Sequence, residues 1–207
     1  MLNRALLLII YLIFLCLSTK SQDTIILLTG HTIPCKVYQE NENVITCEFI
    51  KKGREERLIL DTYRVFAIKF GNGEEKVYYQ QDSTKGNWFT LEEMRYFIYG
   101  EQDAMKGYKS PMTSILGVIA GAGAGFFAIE SLILFGAPLV YTTGNIFPYI
   151  IIDRKTVRDE KLLEQETYVQ GYERVARSKK IQNALKSSTV GLAIGIGAYL
   201  LVKEFDK

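Results

Sequence analysis

The sequence predicts an α+β protein: a small antiparallel β domain, a sandwich or a partly open barrel, followed by a capped helix and a glycine-zipper helical bundle in a membrane. Three observations carry this. Residues 23–81 alternate short runs rich in Ile, Val, Phe, Tyr and Thr with turn clusters. Ser110 to Ile152 is uncharged except for Glu130, and about 18 uncharged apolar residues are enough to cross a bilayer core as a helix, where each backbone group is paired within its own segment. Gly117, Gly121 and Gly125 recur at four-residue spacing inside that block, and Gly191 and Gly195 repeat the spacing near the end.

The start of the chain reads as an export signal, residues 1–21. Met1 to Arg4 is short and positive, Ala5 to Leu17 is apolar, and Ser18-Thr19-Lys20-Ser21 is a small polar exit. Cleavage after Ser21 makes Gln22 the new terminus. An uncleaved anchor is the alternative, but thirteen apolar residues fall short of the roughly 20 that a spanning helix needs. Leu15 before Cys16 is too bulky for a lipidation signal.

Residues 22–84 read as the exported β domain, with six strands at Thr24–Leu28, Thr32–Tyr38, Val44–Ile50, Arg57–Leu60, Arg64–Phe70 and Glu74–Gln80. Period-two patterning puts Ile33, Cys35 and Val37, with Ile45, Cys47 and Phe49, on the core face, and on later strands Phe66, Ile68 and Phe70, with Val77 and Tyr79. A hairpin centred on Asn41 would set Cys35 opposite Cys47. These two are therefore a candidate disulfide, which would stabilise a small exported domain by about 2–3 kcal/mol. Two small buried hydrophobes is the other reading. They lie across a hairpin rather than in a Cys-x-x-Cys turn, so redox catalysis is not expected.

An amphipathic connecting helix follows over residues 88–109. Thr90 and Glu93 form a capping box, and Leu91, Met94, Phe97, Ile98, Ala104, Met105 and Tyr108 make its apolar stripe. Glu101 and Asp103 read as solvated acids on the exposed face. The only histidine, His31, lies far off in sequence.

Residues 110–152 form the apolar membrane block. Gly117, Gly121 and Gly125 share one helix face and allow a second helix close, and the Gly191/Gly195 copy is the natural partner. Packing within one chain and self-association both remain open. Glu130 is an intramembrane acid, and a charge at a helix centre costs about 2.5–3.5 kcal/mol. Gly136-Ala137-Pro138 offers a break, so the block reads as a hairpin; the many Lys and Arg after it argue instead for one crossing. Residues 153–207 are a charged helix running directly into a final apolar segment, Ser187 to Val202. Its basic end, Arg174 to Lys186, suits anionic headgroups.

A net charge of +2 over 207 residues does not argue for nucleic acid or acidic substrates. No cofactor or metal motif is present in the sequence.

The order of parts resembles a group of uncharacterised Bacteroidota envelope proteins. The residues that carry the likeness are the Asp23-Thr24-Ile25-Ile26 opening, Gly71-Asn72-Gly73, Gly100-Glu101-Gln102-Asp103-Ala104 with Gly107-Tyr108, and Gly171-Tyr172 with Ala176, Lys179 and Lys180. The resemblance implies a cell-envelope setting and no activity.

The expected function is that of a non-enzymatic envelope membrane protein, an anchored adaptor or assembly component presenting its β domain to an unknown envelope partner. The inner membrane is favoured over the outer, and membrane lipid is the other partner. The alternative is a zipper-driven homo-oligomer that perturbs or permeates the membrane. An enzyme using Glu101, Asp103 or Glu130 stands last.

Overall fold

The computed structural model describes residues 22–51, 53–127, 131–147 and 149–205. The leader and Glu130 lie outside them. The chain forms two compact units, Met1–Leu91 and Glu92–Lys207.

Unit one is a single antiparallel sheet of six strands: β1 (Asp23–Leu27), β2 (Thr32–Glu40), β3 (Val44–Lys51), β4 (Arg54–Asp61), β5 (Val65–Lys69) and β6 (Glu75–Val77), in the order β4-β3-β2-β1-β5-β6. The expected strands fall where the patterning put them. The sheet is open, with β4 and β6 as its edges, and a second sheet to complete a sandwich is absent among the described residues. Gly30, Gly53 and Gly73 sit at positive φ in three of the turns, a conformation that glycine adopts without steric cost.

One core face holds Ile25, Cys35, Ile45, Cys47, Leu60, Val65 and Ile68, with Ile33, Val37, Phe49 and Phe70 packed against them. Phe66 departs from the expected face. The pairing register shifts between Ile26 and Leu27, and both Tyr78 and Tyr79 donate their N–H to the Phe66 carbonyl. That bulge turns Phe66 towards Tyr79, with ring centroids 6.1 Å apart.

A second irregularity lies in β2. Val37 pairs with Cys47, but Gln39 pairs with Thr46, so Tyr38 is the extra residue of a bulge. The bulge reverses the alternation. Glu40 pairs with Ile45 and so shares the core face, where its carboxylate meets Lys76 of β6. Three strand spacings would hold β2 and β6 about 14 Å apart in a flat sheet; the ion pair forms because the sheet curls.

Asp23 anchors the start of the sheet. Its Oδ2 accepts from Val37 N at 3.1 Å and its Oδ1 from Gly71 N at 2.9 Å. The carboxylate takes two backbone donors that β1, beginning here, does not supply with carbonyls.

Unit two contains α1 (Leu91–Gly107), α2 (Pro111–Phe127), α3 (Ala137–Gly144) and α4 (Glu166–Phe205). α1 starts at the residue after Thr90, where the capping box placed it. α4 is one uninterrupted helix of 40 residues, about 60 Å at 1.5 Å per residue, so the charged segment does run straight into the apolar one.

The helices α1 and α2, bent by 57° at their junction, follow α4 along its length. Phe97 lies at Gly171, Gly100 at Tyr168 and Tyr172, Gly117 at Ser187, Gly121 at Ser188, and Gly195 at Ala122 and Phe126. Between α2 and α4 the numbers rise together on both sides, so that pair is parallel. A parallel pair requires a return crossover, and residues 131–165 provide it. Two 3₁₀ turns there, Arg154–Thr156 and Glu160–Glu164, are capped by Asp153 and Asp159, each accepting from the backbone N–H two residues on. α3 lies back along α2, with the Tyr141 hydroxyl donating to the Thr113 carbonyl at 2.7 Å.

By length and composition, α4 is apolar enough to cross a membrane, and the bent α1–α2 pair passes the same test as one broken span.

Candidate functional site

Polar residues from three segments of unit two converge where α1 crosses α4. The crossing is made by glycine. A Cβ on Gly100 would lie 2.0 Å from the Tyr168 carbonyl oxygen, and one on Gly171 would lie 2.1 Å from that of Phe97. With the backbones this close, short acidic side chains on α1 reach α4 and the return segment.

Asp103 is the hub. Arg158 Nε lies 3.0 Å from both of its oxygens, Arg158 Nη2 2.9 Å from Oδ1, and the Arg158 backbone N–H donates to Oδ2 at 3.1 Å. The buried Tyr168 hydroxyl donates to Oδ2 at 2.8 Å. The guanidinium also stacks over the Tyr99 ring, 4.2 Å from its centroid. Burial pushes the Asp103 carboxyl upward, but the Arg158 and Tyr168 hydrogen bonds outweigh it and hold the group below the usual carboxylate range. Burial and the adjacent Asp103 raise the Tyr168 phenol.

Glu101 is the contrast. It is 2 % exposed; Oε1 accepts from Arg174 Nη1 at 3.2 Å, while Oε2 has no hydrogen-bond partner. Burial raises its pKa to about 7, against the pull of Arg174. Next along the helix pair, Lys179 Nζ donates to the carbonyls of Ala104, Met105 and Tyr108 at 3.2, 2.7 and 3.3 Å. It caps the C-terminal end of α1, where carbonyls lack partners within the helix. The Tyr172 and Thr156 hydroxyls share a 2.6 Å hydrogen bond.

The expectation for Glu101 and Asp103 is therefore corrected: both are buried. Their partners stand 55 to 73 residues away in sequence, beyond the reach of a local pattern. A signal did exist. Glu101 falls at helical spacing between Phe97 and Ala104, inside the apolar stripe rather than across from it. Apart from Glu101 Oε2, these groups are engaged with one another, an arrangement that clamps the return segment and α4 to α1.

The glycines act in pairs of helices. Cβ atoms on Gly121 and Gly125 would lie 2.1 and 2.2 Å from the Ser188 and Leu192 carbonyl oxygens; those on Gly191 and Gly195 would lie 2.3 and 2.1 Å from Val118 and Ala122. Gly117 meets the Ser187 hydroxyl. All five face a helix of the same chain.

Cys35 and Cys47 are buried free thiols. The hairpin register sets Val37, not Cys35, opposite Cys47, because the strands there pair about residue 42 rather than Asn41, which moves the partner of Cys47 by two residues. Burial, then the neighbouring Cys47, push the Cys35 thiol up to about 12; burial also raises Cys47.

An apolar cleft of about 410 Å³ lies between α2 and the return, lined by Ala120, Ile133, Leu134, Ala137, Val140 and Tyr141. Among the described residues no group of His, Cys, Asp or Glu is arranged to hold a metal ion.

No family model, curated protein or solved structure matches the chain.

Proposed function

We propose that this is a non-enzymatic cell-envelope protein whose helical unit anchors it in a membrane and whose small β domain is presented to a protein partner. The carrying observation is the apolar surface that unit two leaves uncovered. Ile115 and Ile119 of α2, Val140 of α3, and Ile194 and Leu201 of α4 are each more than half exposed. Large apolar side chains left exposed on three helices mark a membrane or protein interface, and on a helix as long as α4 lipid is the environment that fits them.

Two further points support the reading. The buried acids on α1 are engaged with Arg158 and Arg174, which suits a structural clamp better than proton transfer. The five close-packed glycines are occupied within one chain, so they favour an anchor over a zipper-driven oligomer. The leader-like start and the resemblance to envelope proteins favour export.

The test is extraction. The full-length chain should stay with membranes through an alkaline wash and leave them only with detergent. Ile194→Glu with Leu201→Glu should weaken that retention, since a charge at mid-depth costs about 2.5–3.5 kcal/mol. Release of the unaltered chain by alkaline wash alone would overturn the anchor.

A further inference from the structure

The bend between α1 and α2 gathers cations from three segments at one level. Lys179 bonds the carbonyls that end α1, which places residues 177–180 of α4 beside Lys106 and Lys109. Gly107 packs against Thr156, bringing Lys155 of the return to the same level. One turn further, Asn183 Nδ2 donates to Ser110 Oγ at 3.0 Å, and Lys180 and Lys186 flank it on α4.

Lys106, Lys109, Lys155 and Lys186 are exposed and Lys180 half-exposed. No carboxylate pairs with any of the five among the described residues. Acids are scarce here: the sequence has none between Asp103 and Glu130, and none between Glu173 and Glu204. On the return, Asp153 and Asp159 are occupied in backbone caps and Glu160 with Arg154.

Along α2 and α4 the exposed apolar surface runs on beyond these lysines, at Met112, Ile115 and Leu116 and at Val190 and Ile194. In the return, Tyr149 and Ile151 are exposed beside Ile150, which packs on Ala104 and Tyr172 at the level of these lysines. The step from cation to apolar side chain is about one helical turn, ~5.4 Å. A nucleic acid would meet the cations but not the apolar surface. A bilayer leaflet offers anionic phosphate and then hydrocarbon at that separation.

We propose that Lys106, Lys109, Lys155, Lys180 and Lys186 form a collar that binds the anionic phospholipid headgroups of the leaflet through which α2 and α4 enter. This rests on the anchor reading and adds its lipid preference. Lysines held near an anionic surface each raise affinity by about fivefold.

The experiment is a competition during reconstitution. Full-length chain in detergent is mixed with equal amounts of two vesicle populations, one of pure phosphatidylcholine and one with phosphatidylglycerol, loaded to different densities and separated by flotation. The unaltered chain should enrich in the anionic vesicles. Lys109→Gln with Lys180→Gln and Lys186→Gln should lose about tenfold or more of that preference, while Lys36→Gln in the β domain should keep it. Equal division of the unaltered chain, or an undiminished preference in the triple variant, overturns the collar and leaves the anchor standing. A chain that enters neither population overturns both.

Discussion

Glu101 keeps one carboxylate oxygen on Arg174 and leaves the other without a partner in a site that water barely reaches. Its pKa, raised to about 7 by burial, has a defined consequence for stability. Between the ordinary carboxylate range and about pH 7 the folded chain retains a proton that the unfolded chain has released. Stability therefore falls as pH rises through that window and stays lower above it. Asp103, held low by Arg158 and Tyr168, behaves oppositely: its contribution is present at neutral pH and is lost on acidification. Glu101→Gln cannot ionise, so its melting temperature relative to the parent should rise between pH 5 and pH 8 in detergent. A difference that is flat across that range would contradict the account. The burial of Glu101 was legible in its place on the apolar stripe; the identity of its partner, supplied from α4, was not.

At the level of elements, glycines that look alike in sequence do different things. Gly121 faces backbone of α4, whereas nothing lies within 4 Å of where a Cβ on Gly123 would be. Gly121→Ala forces apart two helices with no flexible side chain to yield, and should destabilise unit two by about 1–3 kcal/mol. Gly123→Ala should be neutral or stabilise by up to ~1 kcal/mol, because the unfolded chain loses freedom and the helix gains a better former. Thermal unfolding in detergent measures both. Equal effects at the two positions would mean that the α2–α4 contact does not exist in solution. The four-residue spacing identified the packing face of α2, and period-two patterning placed the six strands. Bulges were the limit of that reading. An inserted residue at Tyr38 or Phe66 leaves no mark in composition, yet it turns Glu40 inward and Phe66 over to the far face.

For unit two as a whole, the decisive relation is that α2 and the last half of α4 run in the same direction. Under the anchor reading, the chain enters with α2, comes back through α3, and enters again with α4. Asp153 then lies on the side of Ser110, and Lys207 follows from the other end. Reporter fusions after Asp153 and after Lys207 should report opposite sides of the membrane. The same side for both would mean that the segments dip in without crossing. From sequence alone the block reads as a hairpin on the strength of the Gly136-Ala137-Pro138 break, although charge counting pulls towards a single crossing. The contact of Tyr141 with Thr113 shows that the chain turns back along α2.

Parallel pairing also fixes an order of assembly. On the ribosome, α1 emerges with Glu101 and Asp103 about seventy residues before Tyr168 and Arg174 exist to receive them, roughly 4–14 s at typical elongation rates. During that interval the nascent protein holds two acids and a row of bare glycines with no counterpart. The last helix is thus the closing piece, and a product truncated before it keeps an unfinished surface that cellular proteolysis can recognise.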